Sequence, residues 1–377
     1  MARVGTPTDR VTVAVLGTGR QGNAHLAALA HLRDSGLRVG DRTLQVEPAV
    51  FGRDSEKVKA LAERYGGQRT STRLEELIEA PEVTVVDNCL VNSFHFEPLM
   101  HAIRHGKHVM SEKPLTTDLA QGEKLLTAAK AAGVRHGIVQ HMRFTPGPTT
   151  AHKLILEGQL GRIFSANVLF GYMVPQMVTN RPAWFYKQEL AGGGIMDDMM
   201  THFFDLLRYL VGPIDSVYAA TSIAWKQRRD ADGQSFPVSV DDVASVTMKF
   251  SDGAIGNCFN SWVRRKHEEI PQFQVDGEDA SLLFTFTQLS MLTQANTPVI
   301  PFHAKLPQPE PEAGWQRVEV QPRDPFLAVI ESFLTGVVTG EPIGPTWEDA
   351  ITNLRLVTAA YRSASEGREI SLSDVTA

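Results

Sequence analysis

The fold of this chain is indicated by one stretch near the start of the sequence, Val11-Thr-Val-Ala-Val-Leu-Gly17-Thr-Gly19-Arg-Gln-Gly22-Asn-Ala-His25. A short apolar strand runs into a Gly-x-Gly-x-x-Gly turn, and a helix rich in alanine and leucine follows. In a dinucleotide site of this kind Gly17 makes the tight turn, Gly19 lets the backbone approach a pyrophosphate, and Gly22 lets helix and strand pack closely. The amides that open the helix face the phosphates, where the helix dipole favours negative charge. The stretch predicts a dinucleotide site, with an ordinary glycine-rich turn as the alternative.

Length and composition are typical of a globular protein of two domains. The 377 residues amount to about twice a usual domain. Hydrophobic residues make up 42% and charged residues 21% of the chain, which is ordinary for a water-soluble protein. A net charge of −6 offers no basic face to nucleic acid or to an anionic membrane. No apolar stretch approaches the ~20 residues needed to span a bilayer, and the N-terminal residues lack the apolar segment of a secretory signal.

The spacing of the cysteines indicates the cellular compartment, and the spacing of the histidines indicates whether a metal site is expected. The two cysteines, Cys89 and Cys258, lie far apart and suit a reducing cytoplasm, so we expect a cytoplasmic protein. His101, His105 and His108 lie at scattered spacings, and we expect no metal site.

Strands and helices alternate in the first part of the chain. Apolar strands such as Val46–Gly52 and Val83–Cys89 are separated by helical patterns such as Glu56–Tyr65 and Asp118–Ala132. This alternation predicts a doubly wound parallel sheet, and we assign residues 10–142 to a Rossmann dinucleotide-binding domain.

The pattern changes after about Met142. Val243–Phe250 and Ala254–Phe259 alternate in polarity on either side of a Ser-Asp-Gly turn, which predicts a hairpin. We therefore assign residues 143–377 to an α+β domain with an open, mostly antiparallel sheet, for substrate binding and oligomerisation. Its two C-terminal helices, near Pro325–Val338 and Trp347–Ser365, are free to pack back on the first domain.

A second marker is the run Lys107-His-Val-Met-Ser-Glu112-Lys113-Pro114. A strand ends here in a charged pair, and the proline restricts Lys113 to extended backbone conformations. Because the carboxyl ends of strands line the ligand crevice of a doubly wound sheet, the ammonium is expected to point at the cofactor or the substrate. Glu112 joins the candidate cofactor contacts, as do Arg20 and Gln21 in the glycine turn. The alternative for Lys113 is a solvated surface lysine.

A third marker is Gly192-Gly-Gly-Ile-Met-Asp-Asp198-Met-Met-Thr-His202-Phe-Phe-Asp205. Three glycines start a predicted helix on which Asp198 and His202 stand at i and i+4 and share one face. This spacing lets a carboxylate orient and polarise an imidazole for general acid–base chemistry. The alternative is an aspartate placed for the helix dipole and a structural histidine. Asp197 and Asp205 are the neighbouring acids with which the pair could be confused.

The segment from Pro175 to Lys187 precedes these glycines and is expected to form a loop on the substrate side. Trp184 and Tyr186 present aromatic faces suited to a pyranose or a glycoside. Packing inside the domain is the equally weighted alternative for both.

Together these markers resemble the glucose–fructose oxidoreductase/inositol dehydrogenase family, usually called Gfo/Idh/MocA. The resemblance rests on the glycine motif ending at His25, on Glu112-Lys113-Pro114 and on Gly192–His202, and it covers nearly the whole chain. Weaker matches are Arg143-Phe144, Glu157–Gly161 and Trp347–Arg368.

The resemblance implies an enzyme that exchanges hydride between C4 of a nicotinamide and a secondary carbinol of a sugar, glycoside or cyclitol. By motif position, Lys113 would bind the hydroxyl and favour its alkoxide, and His202 would take the hydroxyl proton. Asp198 would orient His202 or bind a neighbouring hydroxyl. A secondary alcohol is a very weak acid, so hydride loss needs a base and a cation near the oxygen; the division of labour between Lys113 and His202 stays open. The candidate substrate contacts are Lys113, Arg143, Trp184, Tyr186, Asp198 and His202.

The chain departs from the family after the fourth strand. Asn88-Cys89-Leu90-Val91-Asn92 stands where the family has a Cys-Thr-Pro-like sequence, although His95 falls where a family-type histidine follows. The resemblance places this loop beside the nicotinamide ribose, so Cys89, Asn92 and His95 are candidate cofactor contacts.

A second departure is the strand tip Phe51-Gly52-Arg53-Asp54. NAD-binding members carry an acid here that holds the ribose hydroxyls, and Gly52 stands at its expected position. Without that carboxylate a 2′-phosphate is not repelled, and Arg53 can pair with it, which favours NADP(H). A small register shift would make Asp54 the ribose acid and restore NAD(H), the alternative.

Two other functions fit the same residues. A tightly held cofactor could oxidise the sugar transiently and then re-reduce it, in a glycosidase- or lyase-like cycle. A non-catalytic dinucleotide-binding regulator could use the same fold, although Lys113, Asp198 and His202 together argue against it. The open sheet needs cover on one face, so we expect a homodimer or homotetramer that binds a small carbohydrate or cyclitol and no nucleic acid or membrane.

Overall fold

The first part of the chain folds around a parallel sheet. The computed structural model describes residues 10–178, 181–265, 271–299, 309–310, 312–341 and 344–377. The strands of this sheet are β1 (Arg10–Leu16), β2 (Leu37–Val39), β3 (Arg42–Phe51), β4 (Arg69–Ser71), β5 (Val85–Asn88), β6 (His108–Ser111) and β7 (His136–Ile138). The helices between them are α1 (Arg20–Ser35), α2 (Ser55–Tyr65), α3 (Leu74–Ile78), α4 (Phe96–Arg104) and α5 (Leu119–Ala132).

The strand order is that of a doubly wound sheet. The strands run β2-β3-β1-β5-β6-β7, with β4 beside the carboxyl half of β3. Every pair is parallel except the hairpin of β2 and β3, which is the insertion before the second long strand. The order reverses direction between β1 and β5, and the crevice at their carboxyl ends is where such sheets bind ligands. The predicted Rossmann sheet is confirmed.

The second part of the chain forms a larger, mostly antiparallel sheet. Its order is β17-β16-β15-β14-β8-β13-β12-β9-β18, and among these pairs β8 and β13 run parallel. Its strands are β8 (Ile163–Gly171), β9 (Ile214–Ser222), β12 (Val243–Phe250), β13 (Ile255–Ser261), β14 (Gln272–Gly277), β15 (Ala280–Phe284), β16 (Leu289–Thr293), β17 (Gln316–Val318) and β18 (Ile370–Ser371). The short strands β10 (Gln227–Arg229) and β11 (Ser235–Pro237) pair with each other in a separate two-stranded sheet. The helices are α6 (Pro146–Leu156), α7 (Gln188–Ala191), α8 (Thr201–Leu210), α9 (Pro325–Thr339) and α10 (Trp347–Glu366). The predicted mostly antiparallel sheet in the second part of the chain is confirmed.

The last two helices connect the two sheets. Val329, Ile330 and Phe333 of α9 are buried together with the apolar face of α1. Helix α10 packs along β9 and also contacts α5 and α8. Burial of these apolar side chains, at roughly 25 cal/mol per Å², holds the parts of the site in a fixed relation. None of the helices in the described residues combines the length and apolar character needed to cross a bilayer.

Candidate active site

The glycine turn after β1 is tightly packed and leads directly into α1. Gly17 has a φ of 122°, and a Cβ there would lie 2.7 Å from the carbonyl oxygen of Cys89. A Cβ on Gly22 would lie 2.1 Å from the carbonyl oxygen of Gly17, so helix and strand approach closely, as predicted for these glycines. Gly19 caps α1 without a side-chain hydrogen bond, and no acidic residue occupies the first turn of the helix. These features fit a pyrophosphate at the helix N-terminus.

Two polar residues open α1 beside this turn. Arg20 is exposed, whereas Gln21 is half-buried. The Gln21 amide donates to Oε1 of the buried Glu112 over 2.7 Å, which ties the glycine turn to the end of β6. The contacts of Arg20, Gln21 and Glu112 with a cofactor stay predictions.

The tip of β3 carries no carboxylate that faces the glycine turn. Gly17 donates its amide to the carbonyl of Phe51, so the two strand ends are adjacent. A Cβ on Gly52 would come within 2.5 Å of Thr18 Cγ2, and Arg53 is exposed. Asp54 is the N-cap of α2, and its Oδ1 accepts from the amides of Glu56 and Lys57, each over 3.1 Å. The Asp54 carboxylate therefore stabilises a helix start.

The loop after β5 is anchored on three sides. Cys89 is buried with its Sγ 3.2 Å from His25 Nδ1. Asn92 donates to the carbonyl of Ala191 over 2.8 Å and so reaches the second sheet's side of the crevice. The buried His95 ring lies between the carbonyl oxygens of Leu90 and Pro114, at 3.0 and 2.9 Å. These contacts fix the loop beside Pro114, and their use by a cofactor stays a prediction.

Lys113 lies at the carboxyl end of β6 and pairs with Asp198. Its Nζ donates to the Asp198 carbonyl over 2.6 Å and to the Asp198 carboxylate over 2.8 Å. The two side chains are 12% and 18% exposed, so the pair is largely buried. The lysine is therefore held in the crevice and is not a freely solvated surface residue.

His202 is buried and is oriented by Gln140. Its Nδ1 lies 2.6 Å from Gln140 Oε1, and an amide oxygen only accepts, so Nδ1 carries the proton. Burial, followed by the charge of Lys113, lowers the pKa of His202 well below its ordinary value. The ring is therefore neutral at physiological pH, with the lone pair on Nε2. This is the state that a general base requires.

No hydrogen bond joins Asp198 to His202 in the described part of the chain, so an orienting role for Asp198 stays a prediction. Residues Met196–Met200 form a π-helical turn, and the α-helix begins only at Thr201. The wider turn breaks the i, i+4 geometry of an α-helix, and the Asp198 side chain bonds Lys113. The glycine triplet also does not open the helix directly, because this turn intervenes.

Asp241 anchors the start of this π turn. Its carboxylate accepts from the amides of Gly194 and Met196, at 3.1 and 2.9 Å, and from the Tyr361 hydroxyl at 2.6 Å. A Cβ on Gly194 would lie 2.0 Å from the Asp241 carbonyl oxygen, so glycine is required there. The neighbouring Asp197 is buried, and burial raises the pKa of its carboxyl to about 7.

Arg143 is engaged by two acids of its own chain. It forms a bidentate pair with Asp205, at 2.6 Å for both bonds, and lies 3.0 Å from Asp349. Asp205 is 1% exposed and Arg143 12%. The pair joins the segment after β7 to α8 and α10. Substrate contact by Arg143 stays a prediction, and the geometry assigns the side chain a structural role.

Trp184 and Tyr186 lie in one short 3₁₀ turn, Ala183–Tyr186, but differ in exposure. Tyr186 is fully buried and packs against Trp262, with the Arg228 guanidinium 4.6 Å from its ring centre. The structure thus favours packing for Tyr186. Trp184 is half-buried, and its contact with substrate stays a prediction.

Three residues near the site were missed by the sequence analysis, namely Gln140, His141 and Asp241. Gln140 and His141 follow β7, so the strand-end rule that singled out Lys113 would also have found them. His141 stacks on Phe326 of α9 with ring centres 4.3 Å apart and meets His202 edge-on at 5.1 Å. Burial lowers the pKa of His141 to about 4. No sequence signal pointed to Asp241.

Two sets of possible metal ligands converge in the described part of the chain, and neither contains Lys113, Asp198 or His202. One is His25, Asp87 and Cys89, where His25 and Asp87 already form an ion pair at 2.7 Å. The other is Glu79 with His101 of α4 and His105, the residue after α4, and the two imidazole rings have centres 4.4 Å apart. The rings of His101 and His105 therefore lie together, and the expectation of scattered spacings does not hold for this pair.

Two family models match the chain. A model described as "Oxidoreductase family, NAD-binding Rossmann fold" matches residues 11–141. A model described as "GFO/IDH/MocA C-terminal domain" matches residues 149–283. Together they include the glycine turn, Lys113, Asp198 and His202.

Sequence relatives include two sugar dehydrogenases. The D-xylose dehydrogenase of Paenarthrobacter nicotinovorans is 31% identical over 387 residues, covering 98% of this chain and 100% of the relative. The levoglucosan dehydrogenase of Pseudarthrobacter phenanthrenivorans is 26% identical over 300 residues, covering 76% of each chain.

A solved structure of levoglucosan dehydrogenase, in complex with NADH and L-sorbose, superposes with a TM-score of 0.84. The identity is 23%, and the match covers 96% of this chain and 98% of the other. At this identity the likeness establishes the common fold.

Proposed function

The chain belongs to the Gfo/Idh/MocA oxidoreductase family, and from this premise we propose that it moves a hydride between a nicotinamide and a secondary carbinol of a sugar, glycoside or cyclitol. The names of the xylose and levoglucosan dehydrogenases support this substrate class. The observation that carries the proposal is the meeting of a paired lysine and a neutral, oriented histidine in one crevice.

His202 is the proton acceptor in the direction of oxidation. Gln140 holds the Nδ1 proton, so Nε2 is the basic nitrogen, and no hydrogen bond to it is found among the described residues. The low pKa of His202 keeps it ready to accept a proton at neutral pH but limits its basicity. In the direction of reduction the protonated ring returns the proton to the forming hydroxyl.

Lys113 stabilises the negative charge that builds on the substrate oxygen. Its ammonium carries three donors, and Asp198 uses two of its contacts, so a donor remains for a substrate hydroxyl. A cation held in a partly buried site stabilises an alkoxide far more than water does. Asp198 keeps this cation in place and offers a carboxylate to a neighbouring hydroxyl. When bound, the nicotinamide accepts or returns the hydride at C4.

The strand tip supports NADP(H) as the favoured cofactor. Gly52 leaves no carboxylate to repel a 2′-phosphate, Arg53 is exposed beside it, and Asp54 is already used as a helix cap. The capping contact weighs against the register in which Asp54 would hold the ribose hydroxyls. A guanidinium binds a phosphate through charge-assisted hydrogen bonds.

The open face of the second sheet supports a homodimer or homotetramer. Tyr218 and Ile255 are 50% and 40% exposed on this face, and light scattering of the purified protein would give the number of subunits. Both cysteines are buried and unpaired, which supports a reducing compartment such as the cytoplasm.

The experiment that tests the function adds NAD and NADP separately to the purified protein with a panel of sugars, cyclitols and glycosides, and follows reduced cofactor by its absorbance. We expect turnover with at least one member, lost in His202→Ala and retained in the control His152→Ala, whose ring stacks on Tyr209. A general base contributes about 10²–10⁴-fold to the rate. No turnover with any member, or full activity of His202→Ala, would contradict the assignment.

A further inference from the structure

A buried ionic chain joins the glycine-turn helix to the catalytic strand end. His25 of α1 is fully buried between two carboxylates. Its Nδ1 lies 2.7 Å from Asp87 on β5, and its Nε2 lies 3.2 Å from Glu112 after β6. Three segments of the first sheet thus meet at one imidazole.

Both ring nitrogens of His25 lie within hydrogen-bond distance of a carboxylate oxygen, so each nitrogen is placed to donate. Burial is the largest single effect and lowers the pKa of His25, but the charge interactions and hydrogen bonds with Asp87 and Cys89 together outweigh it, so the pKa lies well above the ordinary value. Burial alone would raise the pKa of Glu112, but its hydrogen bond and charge interaction with His25 bring it to about 2. Two buried carboxylates without a cation between them would be strongly unfavourable.

Glu112 connects His25 to the backbone of Lys113. Its Oε1 accepts from His25 and from Gln21, and its Oε2 accepts from the backbone amide of Lys113 over 3.1 Å. The lysine side chain has four rotatable bonds, so its ammonium is placed only if its own backbone is fixed. A carboxylate held at both oxygens supplies that restraint.

We propose that His25 is a positioning residue for the reaction, which acts through Glu112 to fix the backbone of Lys113. The inference rests on the proposed function, in which Lys113 stabilises the substrate alkoxide. His25 contacts neither Asp198 nor His202, so its effect on the reaction runs through the lysine. Displacement of a catalytic group by about 1 Å can cost on the order of 10²-fold in rate.

The kinetic test uses His25→Gln, which can donate to one carboxylate only. We expect kcat to fall about 10- to 100-fold, while the substrate KM and the cofactor Kd change less than about threefold. The matched control is His108→Gln, at the amino end of the same strand β6, which should retain its kcat. A loss confined to cofactor affinity would overturn the proposal.

A double-mutant cycle separates positioning from general damage. In a Lys113→Met background, His25→Gln should lower the residual kcat no further, because the group that it positions is gone. A full additional loss in that background would overturn the proposal. If His25→Gln folds poorly because Asp87 is left buried and unpaired, the double variant His25→Leu/Asp87→Leu removes both charges and is tested in its place.

Two readouts do not depend on turnover. In ¹⁵N NMR of the wild-type protein at pH 8, both ring nitrogens of His25 should carry protons; a neutral ring would overturn the charged chain. Amide hydrogen exchange at Lys113 should be faster in His25→Gln than in wild type, and an unchanged rate would show that the restraint is absent. If the substrate panel shows no activity, the proposed function fails while these measurements still decide the inference.

Discussion

The Lys113 ammonium donates to both the carbonyl and the carboxylate of Asp198, at 2.6 and 2.8 Å, although 85 residues separate them in the chain. The lysine follows β6 of the first sheet, and the aspartate lies in the π turn before α8. Their contact closes one side of the crevice between the two sheets. His202 is free of this pair and takes its orientation from Gln140, so the cation and the base are held by separate partners.

Gln140 should therefore control the state of His202. Gln140→Leu removes the acceptor for Nδ1–H, so the ring loses its preferred tautomer, and kcat should fall about 10- to 100-fold with little change in KM. Steady-state kinetics measure this, with the exposed Gln159→Leu as a control. Unchanged kcat in Gln140→Leu would show that another group orients the ring.

The lowered pKa of His202 should set the pH dependence of the reaction. Because the pKa of His202 is lowered, its basic form persists below the ordinary histidine value of about 6.5, and the acid limb of kcat for oxidation should lie below that pH. Gln140→Glu keeps an acceptor but adds a negative charge, which should move the limb upward. A limb that stays in place in this variant would mean that His202 does not produce it.

The elements of the first sheet could be predicted because their signals are local. Helices α2 and α5 lie at Ser55–Tyr65 and Leu119–Ala132, close to their predicted ranges, and α1 follows the glycine turn. The partner of Asp198 could not be predicted, since the Met196–Met200 segment has the composition of an ordinary helix and its π geometry depends on tertiary contacts such as those of Asp241. The Gln140–His202 contact also depends on how two sheets dock, which no local pattern contains.

Arg53 should set the choice of cofactor. Arg53→Ala removes a guanidinium that would bind the 2′-phosphate, so kcat/KM with NADP should fall about 10- to 100-fold, while the value with NAD stays nearly constant. The exposed Arg38→Ala in the same domain is the control. Equal losses with both cofactors, or a preference for NAD in the wild type, would contradict the NADP assignment.

Asp197 should make stability depend on pH. The pKa of Asp197 in the folded protein is about 7, which exceeds that of an unfolded aspartate. Its stabilising contribution to the free energy of unfolding is therefore fully present below about pH 3.9 and is lost as the pH rises through about 7. Asp197→Asn is neutral at every pH and should gain on the order of 2–3 kcal/mol of unfolding free energy relative to wild type between pH 5 and pH 8. Thermal unfolding at both pH values measures this, with the exposed Asp41→Asn as a control. A gain that is the same at both pH values would contradict the raised pKa.

Arg143 should matter for folding more than for substrate binding. Arg143→Met leaves the buried Asp205 without its partner, which should cost about 3–5 kcal/mol of unfolding free energy. Denaturant unfolding measures the loss, and the exposed Arg162→Met should show little change. Normal stability of Arg143→Met with a raised substrate KM would instead make Arg143 a substrate contact.

Hydride transfer from a carbinol to a nicotinamide carries an isotope from the carbinol carbon to the cofactor. A sugar that is a substrate in the panel is prepared with deuterium at its reacting carbon and incubated with the enzyme and oxidised cofactor. The mass of the reduced cofactor is then measured by mass spectrometry. We expect one deuterium atom on the cofactor, and loss of this labelled product in His202→Ala. Deuterium that returns to the sugar or exchanges with water, with no label on the released cofactor, would contradict this expectation.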